Sequence, residues 1–239
     1  NEVPSVVVNL PGLKSGIESW YVAVVYEVFD DANEVDVSVE YRVGKGQWQA
    51  CTPATGVQDP VTGLSHRASA QSTTGEEHCF LWDSQADVAD CQNADVEVRV
   101  VATDPDGNRG EETVSFVLDN TPVTAEIMAP SGTLSGVAYI AYRLYDNAYD
   151  DASIQAEFSL DGGTTWHPVV NVSPPGDGTT DLLTSPTGVV HILVWNTPAS
   201  AQLEGYAGDA LLRITPFDYR QGNASTVTCL LYTSDAADD

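Results

Sequence analysis

The chain has 239 residues, 35 acidic against 9 basic, for a formal net charge of −26. A surface this negative repels phosphate backbones and anionic headgroups, which argues against nucleic-acid and membrane-surface partners. No apolar run approaches the roughly 18 residues of a membrane helix, and no basic-then-apolar leader precedes the first polar residues.

In chain order, the first clear element is Trp20, Val22, Val24, Tyr26 and Val28, apolar at every second position. Val35, Val37, Val39, Tyr41 and Val43 follow, alternating with Asp36, Ser38, Glu40 and Arg42. This is the pattern of a strand with one dry and one wet face. Val96, Val98 and Val100 alternate with Glu97 and Arg99 in the same way. Ile154-Gln-Ala-Glu-Phe158 and Leu212-Arg-Ile214 continue the pattern in the second half. No stretch carries a useful helical period. About seven short strands per half, separated by turn residues, predict an all-β architecture of two antiparallel sandwiches. Two connections, 52–76 and 169–190, exceed the usual loop length and are expected either to act or to hide a short extra strand.

The two halves correspond to one another. Tyr26-Glu-Val-Phe-Asp-Asp31 matches Tyr142-Arg-Leu-Tyr-Asp-Asn147, and His78-Cys-Phe-Leu-Trp82 matches His191-Ile-Leu-Val-Trp195. Arg99, Asp104 and Asn108 match Arg213, Asp218 and Asn223, with all offsets between 113 and 117 residues. One unit written twice is therefore expected, with domains at 1–120 and 121–228 joined through Asp119-Asn-Thr-Pro122. Asn1-Glu-Val-Pro4 sits where that linker would precede the first copy, so the chain is expected to be a piece of a longer one.

Residues 229–239, Cys-Leu-Leu-Tyr-Thr-Ser-Asp-Ala-Ala-Asp-Asp, resemble the in-frame translation of a transposase-type sequencing adapter. They are expected to be a non-native, disordered tail. Three cysteines then remain, Cys51, Cys79 and Cys91; an exported chain would hold one pair and one odd thiol, with the pairing open, and the alternative is three unpaired thiols.

Val-Ala-Thr-Asp-Pro-Asp-Gly-Asn108, followed by Val-Ser-Phe-Val-Leu-Asp-Asn-Thr-Pro122, is similar to the closing strands and linker of bacterial immunoglobulin-like and fibronectin-type-III-like tandem repeats. Gly-Gln-Trp-Gln-Ala-Cys-Thr-Pro53 resembles the middle of the same repeats, although Tyr41 stands where they often carry a cysteine. The resemblance implies Greek-key sandwiches in a secreted or cell-surface bacterial protein. Its partners would be other repeats of the same chain, and a cell-surface glycan or protein.

Ser159-x-Asp161-x-Gly163-x-Thr165-Trp166 resembles the Asp box of bacterial sialidases. Its spacing predicts structure rather than catalysis. Asp161-Gly162-Gly163 supplies an acceptor and two residues free to adopt positive φ, Ser159 and Thr165 can bond turn amides, and Trp166 can fold over the turn. The counterpart Tyr41-Arg-Val-Gly-Lys-Gly-Gln-Trp48 keeps Gly and Trp but lacks the Asp, which a catalytic element would not tolerate. Glycosidase chemistry needs a positioned carboxylate pair, or a tyrosine with an arginine cluster, and neither stands out. No catalytic residue is assigned.

The acidic turns admit two readings. Asp119, Asn120, Asp146, Asn147, Asp150, Asp151 and Asp218 could converge as hard oxygen ligands for Ca²⁺ between the domains. Alternatively they are solvated turns, for which Asp and Asn are the ordinary residues. Tyr145, Tyr149 and Tyr219 beside these turns could line a sugar platform, making the chain a carbohydrate-binding accessory module of a hydrolase. His78 and His191, at matching positions, are expected to be packing residues. No other cofactor is implied.

Overall fold

The computed structural model describes residues 3–9, 16–30, 34–56, 64–65 and 76–233. The chain divides into two compact units, Asn1–Thr121 and Pro122–Asp239.

Unit 1 contains β1 (Ser5–Asn9), β2 (Ile17–Glu18), β3 (Tyr21–Phe29), β4 (Glu34–Val43), β5 (Gln49–Ala50), β6 (Leu64–Ser65), β7 (Glu76–Asp83), β8 (Ala94–Thr103) and β9 (Arg109–Leu118). One sheet has the order β1-β3-β7, the other β2-β9-β8-β4-β5, with β6 on β4. The strands pair antiparallel except β2, which lies parallel to β9 through Ile17↔Val117 and Glu18↔Leu118. The alternation read from the sequence sorts side chains between the faces. Val22, Val24, Tyr26 and Val28 of β3 meet Val35, Val37, Val39 and Tyr41 of β4 and Val96, Val98 and Val100 of β8 in one buried cluster. Valine dominates because a β-branched side chain packs well on a pleated, half-buried surface. Trp82 is fully buried and stacks on Tyr41 at 4.9 Å.

Unit 2 contains β10 (Thr124–Ile127), β11 (Thr133–Leu134), β12 (Val137–Tyr145), β13 (Ser153–Ser159), β14 (His167–Pro168), β15 (Val189–Asn196), β16 (Ala207–Phe217) and β17 (Ser225–Tyr232). Its sheets run β10-β12-β15 and β11-β17-β16-β13-β14, the same order as in unit 1, again with a parallel edge pair, β11 on β17. Tyr142, Phe158, Leu193, Trp195, Leu212 and Ile214 form its core, with Phe158 against Trp195 at 5.1 Å. This crossed strand order between two facing sheets is the Greek-key arrangement, and the protein is all-β, built of immunoglobulin-like sandwiches.

Three features differ from expectation. A single turn of helix, α1 (Ser84–Asp87), follows β7, and two 3₁₀ turns at Thr197–Ala199 and Ala201–Leu203 follow β15. The connection 169–190 is bound along its length: Asn171 bridges Trp195, Leu182 bridges Ala152, and Ser185 bridges Tyr145. The third difference corrects the tail. Residues 229–232 are the last part of β17, with Cys229 and Leu231 buried and Leu230 and Tyr232 facing out. Cys-Leu-Leu-Tyr carries the period-two apolar pattern that any edge strand over this core requires, so it packs as one. Thr233 then closes the end, its N–H donating to the Tyr206 carbonyl at 2.9 Å. Residues 234–239 lie outside the described residues, as do most of 52–76, Asp31 and His66.

Candidate functional site

The turn between β13 and β14 is held by one carboxylate. Asp161 accepts the Thr164 and Thr165 amides at 3.0 and 2.9 Å, the Thr165 hydroxyl at 2.6 Å and the Ser159 hydroxyl at 2.8 Å. Ser159 Oγ in turn accepts the Gly163 amide at 2.8 Å. These bonds hold the Asp161 carboxyl down at about 2, the Thr165 side chain and amide contributing most. Gly162 and Gly163 adopt φ of 72° and 94°, a region that side chains with Cβ rarely enter. Trp166 folds back and donates Nε1–H to the Gly163 carbonyl at 3.0 Å. Four donor groups converge on Asp161, which gives its carboxylate a structural task in this turn.

Trp166 also anchors the outer sheet face. The Arg213 guanidinium of β16 lies 3.8 Å from its ring centroid and donates to Glu157 of β13 at 2.6 Å. In unit 1 Trp48 is flanked by two guanidiniums, Arg42 at 4.5 Å and Arg99 at 4.4 Å. Arg99 pairs with Glu40 at 2.7 Å and Arg42 pairs with Glu97. A planar cation that stacks and forks at once suits arginine and not lysine. The counterpart turn therefore keeps its tryptophan for the arginines and dispenses with the aspartate.

A second carboxylate of this kind escaped sequence reading. Asp87, at the end of α1, accepts the Thr52 amide, the Thr52 hydroxyl and the Trp82 indole N–H, each at 2.7 Å. In unit 2 the Trp195 indole donates to Ser200 Oγ at 3.3 Å. Each capping residue lies five positions after its tryptophan. That spacing was the available signal, and it was hidden because Asp and Ser differ in charge.

Of the seven candidate calcium ligands, Asp119 and Asn120 lie in unit 1 and the other five in unit 2. Asp119 accepts the Asn93 and Thr121 amides, each at 3.0 Å. Asn120 is fully buried, accepts the Trp20 amide at 2.7 Å and donates to the Val88 carbonyl at 2.9 Å. Both side chains thus close the end of unit 1. In unit 2, Asp218 accepts the Val123 and Arg220 amides, each at 3.0 Å. Asp146 is buried and accepts the Asp150 amide at 3.2 Å. Burial first, then the charges of Asp150 and Asp218, push its carboxyl up to about 7. Asn147 and Asp150 are half-buried in the same loop and Asp151 is exposed. Among the described residues, no group of three or more His, Cys, Asp or Glu side chains is arranged to hold a metal ion.

The matched histidines pack. His78 lies against Tyr26 and His191 against Tyr142, both with ring centroids 5.5 Å apart, as direct cross-strand partners. His191 Nε2 also bonds the Leu183 carbonyl at 2.8 Å. Among the described residues the expected disulfide is absent: Cys51, Cys79, Cys91 and Cys229 are not joined to one another. Burial raises the Cys51, Cys91 and Cys229 thiols, the last to about 11, which disfavours their thiolate forms. Of the three tyrosines, Tyr145 bonds Glu126, while Tyr149 and Tyr219 are 42% and 61% exposed. No helix among the described residues is long and apolar enough to cross a membrane.

No family model and no curated protein matches this sequence. Solved structures of similar fold include the FN1–FN3 domains of chicken CNTN1, at 12% identity and a TM-score of 0.31, covering 98% of this chain and 67% of that one. The fibronectin(III)-like modules of Clostridium thermocellum CbhA match at 12% identity and a TM-score of 0.34, covering 98% and 96%. A Salmonella alpha-2-macroglobulin mutant matches at 12% identity and a TM-score of 0.30, covering 97% of this chain and 16% of that one.

Proposed function

We propose that the chain is a pair of tandem, non-catalytic spacer modules from a secreted or surface-attached protein, whose role is to carry tension and distance. The observation that carries this reading is the fate of the side chains capable of chemistry. Asp87 and Asp161 are saturated by turn amides and hydroxyls, and Arg42, Arg99 and Arg213 are clamped between a tryptophan and a glutamate. The buried thiols are held protonated. Matching strand orders and matching Tyr–His pairs support one unit written twice.

The edge pairs give the mechanical rationale. β2 lies parallel to β9 and β11 parallel to β17, so each unit joins a strand near its start to its last strand. Pulling on the two ends of such a pair loads its hydrogen bonds in shear, where they must break together rather than one at a time.

The second reading, a carbohydrate-binding accessory module, is favoured by the exposed rings of Tyr149 and Tyr219 beside acidic loops. A glycan array probed with the full chain separates the two. The spacer reading predicts no retained glycan; retention abolished by Tyr149→Ala and Tyr219→Ala would establish the accessory module instead. Calcium is a further point of difference. The spacer reading in which the acidic turns hold no metal predicts one melting temperature in millimolar calcium and in chelator, and a rise in calcium would restore the metal-stiffened version.

A further inference from the structure

The outer face of the larger sheet of unit 1 carries a cleft of about 390 Å³, within the size range of ligand sites. Two adjacent strands lay its floor. Asp95 and Glu97 project from β8, and Ser115 and Val117 from β9, in the register Asp95↔Val117 and Glu97↔Ser115. Side chains alternate between faces along a strand, so these four stand on the side away from buried Val96 and Val98. Gly16 and Gly44 flank the cleft, one just before β2 and the other just after β4, in the strand order β2-β9-β8-β4. A β-carbon at either glycine would meet no heavy atom within 4 Å, so both ends of the cleft are open.

The polar groups of this cleft are occupied unequally. Glu97 is held by Arg42, whose Nε and Nη2 both donate to its Oε2. Asp95 is fixed through its backbone, its carbonyl accepting the Gly44 amide at 2.8 Å. Among the described residues, the Asp95 carboxylate and the Ser115 hydroxyl make no hydrogen bond or ion pair. Asp87 and Asp161, by contrast, are filled by amides and hydroxyls. The second copy shows that the fold does not require this carboxylate pair. Arg99 and Arg213 match, so Asp95 and Glu97 correspond to Asp209 and Leu211, and Ser115 to Thr228. Leu211 packs at the Gly163 turn instead of facing a partner.

We infer that this cleft binds an alkylammonium group, a primary amine carried on an apolar stem. An ammonium has three donors. The cleft offers three acceptors: Asp95, the Glu97 oxygen that Arg42 leaves open, and Ser115 Oγ. Positions i and i+2 on one strand face are about 7 Å apart, a spacing that two carboxylate side chains can close on a single nitrogen. Such charge-assisted hydrogen bonds are the strong ones. Val117, directly opposite Asp95, supplies the apolar surface for the stem. A calcium ion is less well matched, because it takes roughly six to eight oxygens. The net charge of −26 draws cations to the whole surface, and the paired carboxylates select one position on it.

A heteronuclear NMR titration of the full chain with N-acetyl-lysine amide, at about 0.15 M salt, tests this. The Asp95, Glu97 and Ser115 amides should shift together and saturate, while those of Asp209, Leu211 and Thr228 stay in place. Asp95→Asn removes no side-chain bond among the described residues and should weaken binding about tenfold. Asp209→Asn, the same change of charge in unit 2, should leave binding unaltered. The norleucine analogue, which keeps the stem and lacks the ammonium, should not saturate. Equal binding of n-butylamine assigns a free amine as the ligand, and tighter binding of the lysine probe assigns a lysine side chain of a partner. Shifts that spread over the acidic turns of both units without saturating overturn the proposal. So does binding indifferent to Asp95→Asn or matched by the norleucine analogue.

Discussion

The Pro4 carbonyl oxygen lies where Gly110 would carry a β-carbon, 1.7 Å from that position. Gly222 stands in the same relation to the Val123 carbonyl, at 1.9 Å. Both contacts bring the chain entering a unit against its last strand, at the start of β9 for Gly110 and just before β17 for Gly222. Neither glycine needs an unusual φ, so the demand is for space alone. Gly110→Ala and Gly222→Ala force backbone against backbone and should each cost about 1–3 kcal/mol or more, read as a lower urea midpoint for the unit concerned. A midpoint unchanged in either variant would mean that the strand does not lie there.

Asp87 carries more of unit 1 than its place in a single helical turn suggests. Asp87→Ala removes the acceptor of three donors, including the indole of fully buried Trp82. The expected loss is about 2–4 kcal/mol, since hydrogen bonds to a charged group are stronger than neutral ones. Ser200→Ala, which removes the single 3.3 Å bond from Trp195, should cost unit 2 about 1 kcal/mol or less. Chemical denaturation of both variants checks the order, and equal losses would contradict it.

Two carboxylates in unit 2 give opposite pH signatures. Asp161 is held at about 2, below its unfolded value, so its contribution is present above about 4 and is lost as pH falls through that range toward 2. Asp161→Asn should remove that acid sensitivity. Asp146 is raised to about 7, so the folded state binds a proton that the unfolded state has released. Its effect is a stability highest below about 4 and progressively lost as pH rises to 7. Asp146→Asn should raise stability at pH 8, on the order of 2 kcal/mol, and flatten the loss between pH 5 and 8. Thermal melts across that range decide, and a variant less stable at pH 8 would show that the charged form is stabilised.

A chain ending at Thr228 loses buried Cys229 and Leu231 and the Thr233 closure. Unit 2 should lose about 3 kcal/mol or more, given the apolar surface that two buried side chains contribute. A disordered scar would predict identical melts for the two lengths.

Much of this fold could be read directly from the sequence because its period is two. The alternations in Val35–Val43 and Val96–Val100 became the faces of β4 and β8. The turn at Ser159–Trp166 was equally legible, since its acceptor, its glycines and its tryptophan are all local. What was not legible depended on distance. The hydrogen bonds that Asp119 and Asn120 make run to amides such as those of Asn93 and Trp20, far away in sequence. Cys51, Cys79 and Cys91 suggested a pair by count, yet burial and separation in the fold decide pairing. The tail was judged by its origin, whereas packing responds only to the alternation of Cys229, Leu230, Leu231 and Tyr232.

Single-molecule pulling on the ends of the chain tests the spacer reading most directly. Two sandwiches with separate cores and shear-loaded edge pairs predict two discrete unfolding steps, each releasing roughly 40 nm of chain. Gradual extension at low force, or one step of twice that length, would contradict it.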